Sequence, residues 1–349
     1  MNRISDPYHQ FHSGVLQPAP LAVRLIPMQP GLSTHVFFQH RLQPGLLDAL
    51  AAAGARTIEV FAARHHFDYT DPPTLRETAA WFRSNDVRAV MRQPIYFSDR
   101  ADAQWSRHVA PNLDLLAPEK FHRIAAMDEV KRAIEAAEQV PFTAVVIDLG
   151  RKDAPWDELA FEHSLTAIEH LKAFAAPLGV RLLLENLQNE VATPENLLSI
   201  LKTGHFDSVG VCLDVGHLHL AQDSSAPAST AKSGAPSSAA KSPPKLSSDS
   251  GVGAAIELLG PRIAQVHLHD NHGAFAHTVD MKDEHLWPGS GSIDWRSVCS
   301  ALAALPAATP GILEIAGDRD EPAESVTHKA EAAFRMLANW QSTQLSQNM

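Results

Sequence analysis

Four short apolar runs in the second half of the chain each end in a group that can carry a proton or hold a metal. They are Glu185 in LLLENL, Asp214 in CLDVGH, His267 in VHLHDN and Glu314 in ILEIAG. Each closes a stretch whose neighbours would be buried, so each reads as a partly desolvated group aimed at a common mouth. Three carboxylates crowded together repel and raise one another's pKa unless a cation compensates. A divalent metal satisfies them together, with three oxygen donors, one imidazole and open positions for substrate or water. A single strand-end acid is more often a helix cap or an ion-pair partner. Such groups in four successive units favour a metal site. Glu185, Asp214, His267 and Glu314 are therefore expected to hold one divalent ion, Mn²⁺, Mg²⁺, Co²⁺ or Zn²⁺.

Further groups fall in the same units. His217 lies three residues past Asp214, and reads either as a direct ligand or as a hydrogen-bonding group that orients a ligand or substrate. Asp283 and His285 form an Asp-x-His pair ahead of PGSGSIDW, and are expected to face substrate. His269 alternates with His267, so by the two-residue period of a strand it faces the same side one step further out. A packing or orienting role suits it. His65 and His66 are adjacent, and two adjacent side chains of an extended segment cannot both aim inwards. His66 is taken as the pocket-lining member. Trp287 beside the PGSG turn reads as loop packing rather than as a lid.

The elements that must position these groups alternate along the chain. Apolar, β-branched runs at 32–38, 57–61, 88–92, 143–148, 180–185, 209–214, 263–268 and 311–315 read as strands. Helical patterns follow them at 46–53, 74–84, 127–138, 158–175, 194–202, 254–259, 295–305 and 323–340. Eight such units, with nearly continuous apolar strands buried on both faces, predict an α/β fold of the closed (β/α)8 TIM-barrel type. No glycine-rich loop follows the first strand, which argues against a dinucleotide-binding open sheet. The expected organisation is an N-terminal extension over 1–30 and a single barrel over 31–341. A Ser/Ala/Pro/Lys-rich segment at 223–251, poor in large apolar side chains, reads as a flexible insertion after the sixth strand.

Composition narrows the function classes. The chain has 349 residues, 29 Lys and Arg against 40 Asp and Glu, and a net charge of −11, which disfavours binding to nucleic acid. Two cysteines support neither a disulfide framework nor a Cys-based zinc site. No apolar run is long enough to span a bilayer, and the N-terminal residues lack the apolar core of a secretory signal. A cytoplasmic protein with no membrane partner is the default, with a homo-oligomer left open. The 19 histidines are the unusual figure, and point to metal ligands or acid/base groups.

Taken together, LLLENL, CLDVGH, HLHDN, DEH, PGSGSIDW and ILEI resemble the xylose-isomerase-like TIM-barrel superfamily, the sugar phosphate isomerase/epimerase group. The resemblance implies that Glu185, Asp214, His267 and Glu314 bind one divalent metal. It also implies that Glu185 and Glu314 act as acid/base groups on opposite faces of a small sugar or polyol, through a metal-stabilised enediolate. His217 would then bind a substrate hydroxyl. Endonuclease IV belongs to the same superfamily and shares the pattern Asp214, His217, Asp283 and His285. Its additional histidines after strands three and four are replaced here by Arg92-Gln93-Pro94 and Asp148-Leu149-Gly150. The loss of both argues against a three-zinc cluster, so an endonuclease IV-like phosphodiester hydrolase is only the alternative, and a barrel that binds sugar or metal without turnover is a third class. Arg92 is expected to face the pocket and hold a substrate group, or else to pair with an acid such as Glu59. Asp148 reads as an ion-paired acid or as a further ligand.

Overall fold

The computed structural model describes residues 28–94, 113–152, 154–223, 251–273 and 283–347. Eight strands form a closed, all-parallel barrel in sequential order: β1 (Gln29–Ser33), β2 (Thr57–Phe61), β3 (Arg88–Gln93), β4 (Phe142–Ile147), β5 (Arg181–Glu185), β6 (Gly210–Asp214), β7 (Ile263–Leu268) and β8 (Pro310–Leu313). Closure is made by β8 on β1, with Leu313 beside Leu32. The outer helices are α1 (Pro44–Ala52), α2 (Pro72–Ser84), α3 (Lys120–Ile134), α4 (Glu158–Ala175), α5 (Pro194–Thr203), α6 (Val215–Asp223), α7 (Gly251–Leu259), α8 (Trp295–Leu302) and α9 (Ala323–Gln347). Side-chain caps start several of them: Asp71 accepts from Thr74 N, Asp157 from Ala160 N, and Asp294 from Ser297 N. Among the described residues no helix is long and apolar enough to cross a membrane.

The two faces of each strand have separate work. Met91, Val145, Leu182, Leu184, Val211 and Leu213 join the large core between strands and helices. Val90, Val146, Leu183 and Cys212 form a second apolar cluster on the opposite faces. By the two-residue period this second set shares its face with Arg92, Asp148, Glu185 and Asp214. The barrel interior thus carries this apolar cluster on β3 to β6 below a charged C-terminal mouth.

Two departures from the sequence expectation bear on that mouth. The run at 32–38 is not one strand: it ends at Ser33, whose hydroxyl accepts from His35 N and turns the chain into a 3-10 helix, Thr34–Phe37. His35 is thereby lifted over the barrel end. A helix, α6, also starts directly at the end of β6, where the sequence reading assigned no helix ahead of the insertion at 223–251. It carries His217 on its first turn. A Cβ at Gly216 would sit 2.0 Å from the His269 ring, so only glycine lets α6 start this close to β7. The extension as far as residue 27 and the segment 224–250 lie outside the described residues. β1 begins at Gln29, two residues inside the stretch assigned to the extension.

Candidate metal centre

Glu185 and Asp214 end β5 and β6, His267 is the last but one residue of β7, and Glu314 follows β8 by one residue. Each offers one ligand atom, and these four atoms lie within 4.8 Å of one another. All four residues are buried. His267 Nδ1 is the hub, 2.8 Å from Glu185 Oε1, 3.0 Å from Glu314 Oε2 and 3.7 Å from Asp214 Oδ2. The set fits a divalent ion. It has hard oxygen donors with one imidazole, and Glu314 Oε2 is buried with no directed hydrogen bond among the described residues. Asp214 is held from behind, since its Oδ1 accepts from His217 N and its backbone exchanges two hydrogen bonds with the Asn186 amide.

Arg92 stands in the same mouth. Its Nη2 contacts Asp148 at 2.8 Å and Glu185 at 2.5 Å, Nη1 donates to the Gln93 carbonyl, and Nε lies 3.7 Å from Glu314. This corrects the expectation that its fork waits for a substrate group: most of its donors are engaged within the protein, and it balances the acids. Its partners are Asp148 and Glu185, not Glu59. Arg92 and Asp148, at the two places where the nuclease pattern would need histidine ligands, are joined to each other. Burial lifts the Asp148 carboxyl to about 7, against the pull of Arg92, and the neighbouring Glu185 adds to the rise. Burial would raise Glu314 too, but His267, His285 and Arg92 hold it well below the ordinary carboxylate range.

A second donor group adjoins the first. His217, His269, Asp283 and His285 also offer atoms within 4.8 Å of one another. Asp283 Oδ2 lies 2.7 Å from His217 Nε2 and 3.1 Å from His285 Nε2. His269 and His285 stack at 4.0 Å between ring centroids, and His269 Nε2 sits 3.1 Å from Asp214. His285 has φ of +47°, uncommon for a residue with a side chain, and is held there by Ala316 N bonding to its carbonyl and by its own Nδ1 on Glu314 O. Although burial opposes it, Asp283 raises His285 to about 9 and, with Asp214, pushes His217 well above the ordinary range. His269 therefore does more than pack.

His66 is not a pocket residue. It is fully buried, with Nδ1 on the His40 carbonyl and Nε2 on Thr34 Oγ1, so both ring nitrogens are engaged in holding the β1 and β2 ends together. Trp287 packs partly buried against the main core, as a loop residue. Two groups were not assigned to the site from the sequence, Glu59 having been named only as a possible partner of Arg92. His35 stacks on Phe61 at 4.5 Å, meets the His285 ring edge at 5.1 Å, and has a buried Nδ1 without a hydrogen-bond partner among the described residues. Burial and the nearby His285 cation lower it to about 3, so it is a neutral imidazole. Glu59, at the centre of β2, reaches His267 Nε2 at 2.9 Å. The apolar runs carrying both residues conceal them, and only strand-face parity at Glu59 offered a signal.

Residues 47–340 match the family described as xylose isomerase-like TIM barrel. An uncharacterized protein, y4fM of Sinorhizobium fredii, is 27% identical over 232 residues, spanning 64% of this chain and 63% of its own length. The barrel superposes on a D-tagatose 3-epimerase-like protein with a TM-score of 0.64 at 20% identity, covering 91% of this chain and all 100% of the other. It superposes on the IolI protein with a bound zinc atom with a TM-score of 0.66 at 17% identity, covering 89% and 98%. The fold is common to this chain and the two solved structures. The chain belongs to the xylose isomerase-like TIM-barrel family.

Proposed function

We propose that the protein is a divalent-metal-dependent isomerase or epimerase acting on a small sugar, sugar phosphate or polyol, in the cytoplasm. The observation that carries this reading is the buried set Glu185, Asp214, His267 and Glu314, with its donor atoms within 4.8 Å of one another at the barrel mouth. When bound there, a metal supplies charge that polarises a carbonyl and its neighbouring hydroxyl, easing loss of a proton from carbon. Glu185 and Glu314, on β5 and just past β8, are the proton acceptor and donor on the two faces of that carbon. Arg92 lies beside both and balances their charge, and His217 orients a substrate hydroxyl. D-Tagatose and related ketoses, suggested by the epimerase-like neighbour, are the first substrates to try. The test is incubation of the Mn²⁺-loaded enzyme with a ketose panel in D₂O. Deuterium at the carbon that inverts, lost in Glu314→Gln at full metal occupancy, is the expected result. Absence of both metal uptake and exchange overturns the reading.

A second reading has its own observation. The donor group His217, His269, Asp283 and His285 would suit another cation, and metal-assisted phosphodiester hydrolysis uses more than one. The net charge of −11 and the Arg92–Asp148 pair count against it. Metal content decides, with about one ion per chain for the first reading and two or more for the second.

A further inference from the structure

We infer that Glu59 is a positioning residue of the metal centre, which fixes His267 from across the barrel so that Nδ1 faces the three carboxylates. The inference rests on the metal reading above. Glu59 lies mid-strand in β2, fully buried, where barrel strands ordinarily place apolar residues. β2 and β7 are not neighbours, since β1 and β8 lie between them, so the contact to His267 spans the lumen. Its Oε2 meets His267 Nε2 at 2.9 Å and Gln265 Nε2 at 2.6 Å. Arg92, the cation nearest in sequence expectation, is engaged by Asp148 and Glu185 instead.

The direction of the proton follows from the partners. His267 Nε2 sits between a carboxylate oxygen and the amide nitrogen of Gln265, 3.1 Å away. The Gln265 amide nitrogen donates to Glu59 Oε2 as well, and a carboxylate oxygen only accepts, so Nε2 carries hydrogen and donates it to Glu59. In the neutral ring the lone pair is then on Nδ1, the atom that faces Glu185, Asp214 and Glu314. A carboxylate behind a ligating imidazole fixes its tautomer and orientation and strengthens it as a donor. Gln265, two residues before His267 on the same strand face, steadies the carboxylate in turn.

The contrary view is that Glu59 and Gln265 merely fill the lumen. Metal-free protein titrated with Mn²⁺ by calorimetry, and with Co²⁺ followed by visible absorption, separates the two. Glu59→Leu removes the acceptor and should weaken Mn²⁺ binding roughly 10–100-fold. Glu59→Gln keeps the volume and an acceptor but loses the charge, and should fall between Glu59→Leu and wild type. Gln265→Met leaves every ligand in place and should also weaken binding, with Co²⁺ bands displaced in all three variants. Affinities within about twofold of wild type and unchanged Co²⁺ bands, with only melting temperatures altered, overturn the inference while the metal reading stands. Failure of all three variants to fold overturns it in favour of lumen filling. Wild-type protein that takes up neither ion overturns the metal reading itself.

Discussion

Replacing Arg92 by methionine in the metal-free protein removes the cation shared by Asp148, Glu185 and, at longer range, Glu314. At an effective dielectric near 20, a unit pair about 4 Å apart is worth about 4 kcal/mol. Breaking one partner out of a buried pair costs about 3–5 kcal/mol. The two acids do not respond alike. Asp148 stands at about 7, so near neutral pH it takes up a proton at little cost and stops needing Arg92. Glu185 then carries the penalty, which places the loss near the lower end, about 3 kcal/mol. At about 2–4 °C per kcal/mol, that lowers the melting temperature by roughly 6–12 °C. Urea unfolding of chelator-treated protein at pH 7.5, followed by far-ultraviolet circular dichroism, measures it. Glu185→Gln in the Arg92→Met background should restore most of the loss, and Asp148→Asn rather little. A loss below about 1 kcal/mol, or a larger rescue by Asp148→Asn, would refute this account of the buried charges.

Glu185→Gln and Asp214→Asn should each weaken Mn²⁺ binding. Wild type should gain about 2.7 kcal/mol at a free metal concentration near 100 Kd, and differential scanning fluorimetry should show that gain lost in both variants at the same concentration. The metal-free protein should lose stability as the solution becomes alkaline. His285 is raised from 6.5 to about 9, so its contribution is full below pH 6.5 and disappears as pH rises through 9. Asp148, raised from 3.8 to about 7, favours its protonated form in the fold and adds a loss of the same sign between those values. His285→Asn should flatten the alkaline limb of a melting-temperature profile; an unchanged slope would remove His285 as its source. His66→Leu leaves Thr34 Oγ1 and the His40 carbonyl without their ring partner, and should cost about 1–3 kcal/mol in urea unfolding. Mn²⁺ affinity should stay unchanged in that variant, and a loss of metal would return His66 to the site.

The convergence of Glu185, Asp214, His267 and Glu314 was legible because a parallel barrel brings the C-terminal ends of all its strands to one mouth. An apolar run closed by Glu185, Asp214, His267 or Glu314 therefore names both the strand and the place of its last side chain. Strand period likewise assigned His269 to the same side as His267, and the alternation of strands and helices was enough for barrel closure. What the tertiary structure decided is who meets whom across the lumen. Glu59 sits inside TIEVF like any strand residue, and its bond to His267 depends on the stagger of strands that are not neighbours. Arg92 was placed in the mouth by its position, but its engagement by Asp148 and Glu185 follows from side-chain reach over two adjacent strands. The places of His66 and His35 follow from a similar reason. The Ser33 turn bends the chain after β1, putting Thr34 under His66 and the His35 ring beside His285. Local sequence sets which face a side chain takes, because face alternates residue by residue. Its partner on a distant strand is set by barrel stagger and loop path, which no local pattern encodes.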